Sequence, residues 1–396
     1  MLKVHGRCDL DCDYCYMYRA ADQRWRTEPR AMSAAVVERT AERIAEHAHT
    51  HGLSRIGVAL HGGEPLLIGP KGITRVVESV RRAVGPRVHA EVTVQTNGVR
   101  LTHHYLDLLG ELDVGISVSL DGGRAAHDRH RRHRDGRGSH AEVTAALELL
   151  ANGPHRALFT GLLCVVDLRN DPVDTYRELV RHRPPTVDFL LPHANWSAPP
   201  PGHRPGDPGT PYADWLIRIF DYWYDAPVRE SGVRIFEQLI TLLLGGHADT
   251  EGLGLAPIGY VVVETSGAIA QDDALRTAYS GAIDTGLHVA RDAFDAALRL
   301  PGVLARRSGT AALTATCRRC PLLDVCGGGH RAHRYRNDGS GFANPSVYCA
   351  DLQVLIRHVR GRLAHDIARL SATAGARVPA GGTPATRVTA GGAGVV

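Results

Sequence analysis

The sequence lacks any apolar run close to the ~20 residues of a membrane-spanning helix, and its N-terminus lacks the apolar core of a signal peptide. It also lacks a large excess of charge, since 46 Lys and Arg residues stand against 42 Asp and Glu residues, for a net charge of +4. A charge this small does not indicate nucleic-acid binding. The sequence therefore predicts a cytoplasmic protein that binds neither membranes nor nucleic acids.

Disulfide bonds are not expected either, although the chain contains eight cysteines. In a reducing compartment, cysteines more often serve as metal ligands or as buried thiols. Three cysteines lie between residues 8 and 15 and four lie between 317 and 349, whereas Cys164 stands alone in an apolar segment. We expect Cys164 to be a core thiol and the two groups to be metal sites.

Six short β-rich segments alternate with helical segments in the first half of the chain. The predicted strands lie in the segments 2–5, 55–63, 89–98, 114–122, 155–167 and 186–194. This alternation is typical of an α/β fold with a parallel sheet, here a partial (β/α)6 barrel. In such folds the functional groups follow the carboxyl ends of the strands.

The rest of the chain divides by composition into three further parts. After the barrel at 1–200, we predict a Pro/Gly-rich linker with bridging helices at 201–254 and a second domain with the later cysteines at 255–365. The segment 366–396 is rich in Ala, Gly, Thr and Pro and is predicted to be a disordered tail.

The first cysteine group has the spacing Cys8-x3-Cys12-x2-Cys15. A closed zinc or iron–sulfur site held wholly by protein normally has four ligands, so three cysteines indicate an open coordination position. The alternative is a zinc site completed by His5 or by water. With Tyr14 before its last cysteine, the group resembles the signature of the radical S-adenosylmethionine (SAM) superfamily.

That resemblance implies a [4Fe–4S] cluster whose open iron binds SAM through its amino and carboxylate groups, and a 5′-deoxyadenosyl radical as the product of SAM cleavage. The segment "HGGEP" at 61–65 matches the family's motif for the SAM amino group, and Arg131 matches the position that pairs with the SAM carboxylate. The residues that the resemblance places around SAM lie at predicted strand ends or in the loops that follow them: Tyr14, Gly62, Gly63, Glu64, Asn97, Ser117, Ser119, Asp121 and Arg131.

The second cysteine group is formed by Cys317, Cys320, Cys326 and Cys349. By spacing alone a zinc ribbon competes with an iron–sulfur cluster. Behind a radical SAM domain, the segment resembles the SPASM or twitch-like extension of peptide maturases, which carries auxiliary iron–sulfur clusters. In this sequence the family's cysteine after Cys326 is replaced by His330, and another cysteine position falls at Asp272. One auxiliary [4Fe–4S] cluster is therefore implied, giving two clusters in all.

This reduced pattern resembles the FxsB-type radical SAM/SPASM maturases. The resemblance implies a ribosomal precursor peptide as substrate and a cross-link from an aromatic carbon to a β-carbon, closing a three-residue cyclophane. It also implies an electron donor such as flavodoxin or ferredoxin. Asp273 is the candidate proton acceptor, with Asp272 and Glu264 as substitutes. The alternatives are another SPASM maturase, forming thioethers or oxidising a sulfatase-type residue, and a non-enzymatic two-site zinc protein.

Overall fold

A computed structural model describes residues 1–203, 208–248, 252–256, 259–307 and 309–375. In these residues the strands form one sheet in the order β10-β9-β8-β1-β2-β3-β4-β5-β6-β7. The strand bounds are β1 Leu2–His5, β2 Arg55–Gly62, β3 His89–Thr96, β4 Val114–Ser119, β5 Phe159–Val165, β6 Thr186–Leu190, β7 Gly232–Val233, β8 Val262–Val263, β9 Ala268–Ala270 and β10 Asp284–His288.

The helices surround this sheet. Their bounds are α1 Tyr16–Arg19, α2 Ala34–Thr50, α3 Pro70–Val84, α4 His103–Glu111, α5 Arg124–His130, α6 His140–Asn152, α7 Pro172–Val180, α8 Pro211–Tyr224, α9 Arg234–Leu243, α10 Phe294–Ala297, α11 Pro301–Arg307, α12 Ala315–Arg318, α13 Leu323–Cys326 and α14 Cys349–Gly375. Within the described ranges, no helix is both long and apolar enough to cross a membrane.

The six predicted strands are observed as β1 to β6, and neighbouring strands all pair in parallel. The predicted α/β fold with a partial barrel is thereby confirmed. Local sequence explains where the flanking helices begin, because the side chain of Ser33 accepts a hydrogen bond from Val36 N at the start of α2. The helix α3 begins at Pro70, where a missing N–H is tolerated.

Apolar side chains of the strands and helices form the core between the sheet and its helical layer. In α3, Ile73, Val77, Val80 and Val84 recur at helical spacing and are buried. In β4, Val114, Ile116 and Val118 alternate with less buried residues and point into the same core. Cys164 is also buried in this core, as expected.

The C-terminal part of the chain extends the barrel sheet at its first strand. Strand β8 pairs in parallel with β1, with Leu2 opposite Val263, and β8, β9 and β10 then continue as antiparallel strands. The segment that the sequence assigned to a second domain at 255–365 therefore shares hydrogen bonds with the barrel. The sequence could not indicate this pairing, since β8 is only two residues long.

The linker and the tail are each only partly described. Residues 204–207 and 249–251 of the predicted linker at 201–254, and 376–396 of the predicted tail, lie outside the described residues. The helix α14 continues to Gly375, so residues 366–375 are helical where disorder was expected. The sequence of this stretch, "DIARLSATAG", contains several good helix formers, and a preceding helix can extend through them.

Candidate functional site

A cavity of about 1100 Å3 lies at the carboxyl ends of the parallel strands. Its wall includes the loop after β1 and residues at or just after the ends of β2 to β6. Parallel strands bring such residues to one side of a sheet, where α/β enzymes commonly bind their ligands. Residues 198–202 of the Pro-rich segment complete part of the wall.

Cys8, Cys12 and Cys15 all line this cavity. Burial raises the pKa of each thiol, that of Cys12 to about 12. Metals bind the thiolate, so loading this site with metal must release protons. The three sulfur donors fit a cluster with one open position. His5, the alternative fourth ligand, is not part of the described cavity wall, and its Nδ1 lies 3.0 Å from Arg7 O.

The two glycines of "HGGEP" allow the cysteine loop to approach the end of β2. A Cβ on Gly62, whose φ is +151°, would lie 2.2 Å from His5 O. A Cβ on Gly63 would lie 2.5 Å from Arg7 O and would also overlap the Tyr18 hydroxyl. Side chains are therefore excluded at both positions, and the backbone of this motif forms part of the cavity wall.

Glu64 lies behind the cavity wall. The side chain is fully buried and accepts hydrogen bonds from Leu66 N at 3.0 Å, Asn97 N at 2.8 Å and Thr96 Oγ1 at 2.8 Å. Burial raises its pKa to about 7, against the opposing effect of these hydrogen bonds. A carboxylate has about four lone-pair sites, so most of its acceptor capacity already serves to join the ends of β2 and β3.

Arg131 faces the cavity and is held there by two residues. Its Nε donates to Asp121 Oδ2 at 2.9 Å, and its guanidinium lies 5.6 Å from the ring centroid of Tyr14. The Tyr14 hydroxyl donates to the same carboxylate. Burial alone would raise the pKa of Asp121, but Arg131 and His127 hold the pKa below its usual range. The Asp121 carboxylate thus positions Arg131 and Tyr14 from behind the wall.

Polar groups at the ends of β3 and β4 complete this side of the cavity. Asn97 Nδ2 donates to Asp9 Oδ1 at 2.8 Å, and Ser119 Oγ accepts from Gln95 Nε2 at 3.0 Å. Ser117 instead donates to Gly161 O at 3.2 Å, inside the sheet. Of the nine residues expected around SAM, those on the cavity wall are Tyr14, Gly62, Gly63, Asn97, Ser119 and Arg131, and those lying behind it are Glu64, Ser117 and Asp121.

Asp273, the candidate proton acceptor, lies in a buried ion-pair network beside the cavity. Its carboxylate pairs with Lys3 and with Arg276 Nε at 2.9 Å, and it accepts from Tyr16 Oη at 2.8 Å. Burial acts to raise the pKa of Asp273, but Lys3 and Arg276 outweigh it and the pKa is lowered. Tyr16 is part of the described cavity wall, whereas Asp273 is not.

The two substitute acceptors also lie off the described cavity wall. Glu264 Oε1 accepts from Arg276 at 2.6 Å, and its pKa is raised, chiefly by burial. Asp272 caps the turn that follows it through Ala274 N and accepts from Tyr260 Oη at 3.1 Å. His330 Nε2 lies 3.5 Å from Asp272 Oδ2, so the two residues that the resemblance aligns with cysteines are neighbours.

The four later cysteines converge on a second, small cavity. Cys317 comes from α12, Cys326 from the end of α13 and Cys349 from the start of α14, with Cys320 in the turn between the first two helices. Burial raises the pKa of Cys326 to about 11 and that of Cys349 above its usual range. All four are free thiols, and a set of four sulfur donors fits a closed metal or iron–sulfur site.

Residues 2–178 match the Radical SAM superfamily. This segment is a radical SAM domain, which indicates that the protein is an enzyme. The superfamily implies a [4Fe–4S] cluster and SAM, which agrees with three cysteines that line a large cavity.

Two curated relatives match this chain over a longer range. A Cysteine-type anaerobic sulfatase-maturating enzyme of Clostridium perfringens is 24% identical over 275 residues, which covers 66% of this chain and 70% of the relative. A Serine-type anaerobic sulfatase-maturating enzyme of Bacteroides thetaiotaomicron is 22% identical over 387 residues, which covers 91% of this chain and 88% of the relative.

Solved structures show the same fold. Native anSMEcpe with bound AdoMet matches with a TM-score of 0.76 and 20% identity, covering 92% of this chain and 98% of that chain. SuiB of Streptococcus suis bound to the precursor peptide SuiA matches with a TM-score of 0.56 and 14% identity, covering 87% of this chain and 74% of that chain. These likenesses confirm the radical SAM α/β fold with its partial barrel.

Several residues of the cavity wall were missed by sequence reasoning. Tyr16 follows the last cysteine of the loop, Gln95 lies in β3, and Asp167 and His193 follow β5 and β6. Asp167 and His193 could have been predicted from the rule that functional groups follow the carboxyl ends of strands. The same rule applied to Gln95, which is the second-last residue of β3 and donates to Ser119. Tyr16 had no such signal, because its partner Asp273 is distant in sequence.

Proposed function

We propose that this radical SAM enzyme is a maturase of a ribosomally synthesised precursor peptide, and that it forms a cross-link from an aromatic carbon to a β-carbon. A peptide substrate is supported by the fold shared with anSMEcpe bound to AdoMet and the Cp18Cys peptide and with SuiB bound to SuiA. The observation that carries the proposal is the cavity of about 1100 Å3 whose wall includes the three cysteines of the loop after β1. It exceeds the ~300–1,000 Å3 of a usual ligand pocket, which leaves room for SAM and part of a second substrate.

The chain's own residues would bind and shield the reactants. When bound, SAM and its cluster supply a radical that takes a hydrogen atom from the peptide, and an auxiliary cluster can accept one electron. Arg131, already directed by Asp121, would pair with the SAM carboxylate, and the backbone at Gly62 and Gly63 would face the SAM amino group. The Pro-rich residues 198–202 would exclude water from the opposite side.

The cross-linking reaction is favoured over other peptide modifications by the second cysteine group. Cys317, Cys320, Cys326 and Cys349 would hold one auxiliary cluster, while Asp272 and His330 stand where the SPASM pattern has further cysteines. A second candidate is the oxidation of a Cys or Ser side chain, which the names of the two curated relatives favour. Both candidates use the same cavity, so the product decides between them.

Coexpression with short peptides encoded beside the gene would test the reaction. A cross-link removes two hydrogen atoms and leaves a peptide that resists fragmentation between the joined residues. Oxidation of Ser to an aldehyde removes the same mass but gives a product that reacts with hydrazides. Tandem mass spectrometry with hydrazide labelling therefore separates the two outcomes. An aldehyde product would replace the cross-linking proposal with the second candidate.

Metal content gives the first quantitative prediction. Two [4Fe–4S] clusters predict about eight irons and eight sulfides per chain after anaerobic reconstitution, because each cluster contains four of each. A two-site zinc protein predicts about two zinc ions and no colour. About four irons would instead leave the second cysteine group without an iron–sulfur cluster. Iron, sulfide and zinc analysis on the same sample distinguishes the three results.

The position of Tyr16 suggests how a proton leaves the cavity. Tyr16 lies on the wall and donates to Asp273, which is itself off the wall. A proton released from the peptide would pass to Tyr16 Oη as the proton of Tyr16 passes to Asp273 Oδ2. The Lys3 and Arg276 charges keep Asp273 ionised, as an acceptor must be, although they also make it a weak base.

Tyr16→Phe is therefore expected to form 5′-deoxyadenosine while losing cross-linked product by about 10²–10⁴-fold, the usual range for a lost proton-transfer group. The measurement is the ratio of product to 5′-deoxyadenosine. Tyr18→Phe is the matched control, because Tyr18 is on the same short helix and the same wall but donates to Gly6 O at 3.3 Å. Equal product ratios for the two variants would exclude Tyr16 from proton transfer.

Asp273→Asn is a less specific test of the same route. It removes the charge that compensates Lys3 and Arg276, and breaking a buried ion pair typically costs about 3–5 kcal/mol of stability. Tyr16→Phe leaves both ion pairs in place. The two variants together therefore separate proton transfer from the stability of the network.

A further inference from the structure

Two histidines and a carboxylate meet at a place that belongs to neither of the two cysteine-lined cavities. His47 is in the last turn of α2, His51 is the residue that caps this helix, and Asp295 is in α10. Nδ1 of His47 lies 2.5 Å from Asp295 Oδ1, and Nε2 of His51 lies 2.9 Å from Asp295 Oδ2. One nitrogen from each ring and one carboxylate oxygen all lie within 4.8 Å of one another. We call these three residues the helix-end triad.

The helix-end triad has the donor types and spacing of a transition-metal site. Histidines four residues apart lie on the same face of a helix, and here the two ring centroids are 4.5 Å apart. Two imidazoles and one carboxylate form a ligand set that zinc uses with a water in the fourth position. Copper and nickel also bind such nitrogen and oxygen donors, whereas magnesium and calcium prefer oxygen ligands.

The present separations require only a small adjustment to admit an ion. With metal–ligand distances of about 2.0–2.1 Å and tetrahedral angles, ligand atoms around zinc lie roughly 3.3 Å apart. The nitrogen–oxygen distances of 2.5 and 2.9 Å would therefore open by less than about 1 Å. The side chains are about a third exposed, at 31%, 43% and 29% for His47, His51 and Asp295, so their rings can turn and an ion can enter from solvent.

The contacts of His47 and His51 with Asp295 could also be ion pairs that form when the histidines are protonated, without any metal. Burial acts to raise the pKa of Asp295, but hydrogen bonds from His51 and His47 lower it. The carboxylate accepts from both rings, one on each oxygen. This convergence of two imidazoles on one carboxylate is what a metal also needs, so an ion and protons would compete for the same three groups.

We propose that His47, His51 and Asp295 bind one divalent transition-metal ion, zinc fitting best, and that the ion fastens the segment after β10 to helix α2. The residues joined are 244 positions apart in the chain. Because such an ion binds the folded chain and ties two distant segments together, it would raise the thermal stability of the enzyme. The role is structural and independent of the reaction in the cavity.

The test uses cluster-loaded enzyme, dialysed anaerobically against micromolar zinc, with zinc and iron measured on the same sample. Wild-type protein is expected to retain one zinc per chain at unchanged iron content, and to melt at a higher temperature with zinc than with a chelator. His51→Gln and Asp295→Asn should each weaken zinc binding at least about tenfold, since each removes a ligand. His49→Gln is the matched control, because His49 is on the same helix and contacts Val84 O instead.

Three results would overturn the proposal. Wild-type enzyme could retain no zinc, or His51→Gln and Asp295→Asn could bind zinc as tightly as His49→Gln. Zinc uptake accompanied by an equal loss of iron would place the ion on the cluster cysteines instead. Because Gln and Asn occupy similar volumes to the residues they replace at partly exposed positions, loss of zinc binding without loss of iron would not be explained by misfolding.

Discussion

Cys12→Ala is expected to abolish SAM cleavage and all peptide product. Cys12 is the middle cysteine of the loop on the cavity wall, and its loss removes the thiolate of one iron from a cluster that has only three protein ligands. No neighbouring thiol in the described structure can replace it, since Cys8 and Cys15 are already required and Cys164 is buried in the core. The measurement is 5′-deoxyadenosine formed with a chemical reductant under anaerobic conditions.

Cys164→Ala provides the matched control for this variant. It removes one thiol from the same domain but from a position off the cavity wall, so SAM cleavage should stay close to the wild-type level. Near-normal 5′-deoxyadenosine formation by Cys12→Ala would contradict the assignment of the open site. Loss of activity in both variants would instead point to a general loss of folding.

Cys326→Ala is expected to retain SAM cleavage while losing the cross-linked product. Cys326 ends α13 and lines the second cavity with the other three late cysteines. Its loss should lower the iron content from about eight to about four per chain, since one [4Fe–4S] cluster would be lost. An electron acceptor is needed only after hydrogen abstraction, so 5′-deoxyadenosine should accumulate without matching product.

The Cys326→Ala result depends on an intact barrel, which the retained SAM cleavage itself would demonstrate. Full product yield from a folded Cys326→Ala enzyme with about four irons would show that the second cysteine group has no part in the reaction. Loss of both activities would show that the second site supports the fold of the cavity. The ratio of product to 5′-deoxyadenosine therefore distinguishes a redox role from a structural one.

The barrel and its cysteine loop could be predicted from the sequence because their signals are local. Strands β1 to β6 are short apolar segments followed by glycine or polar residues, and the cysteine spacing lies within eight residues. Tertiary pairing was harder to predict. Glu64 and Asp121 follow strand ends, as ligand-binding residues do, yet both carboxylates lie behind the cavity wall. Glu64 accepts from the backbone N–H of Asn97, and Asp121 accepts from Arg131.

Asp273 illustrates why the candidate proton acceptor could not be judged from sequence. Its carboxylate is paired with Lys3, which is 270 residues away, and with the Tyr16 hydroxyl, which is 257 residues away. A local pattern shows an acidic pair followed by Arg276 and predicts a solvated or locally paired group. The pairing of β8 with β1 joins the two parts of the chain that carry Lys3 and Asp273.

That pairing also determines when the barrel can be completed during synthesis on a ribosome. Strand β1 is translated first, but one of its edges has no partner until Val263 has emerged. Lys3, whose side chain is 1% exposed in the folded protein, lacks the carboxylate that compensates its charge until Asp273 has also emerged. Contacts between such distant residues slow folding, because a long loop must close before they form. We therefore expect the β1–β8 edge and the Lys3–Asp273 ion pair to form late, after most of the chain has been made.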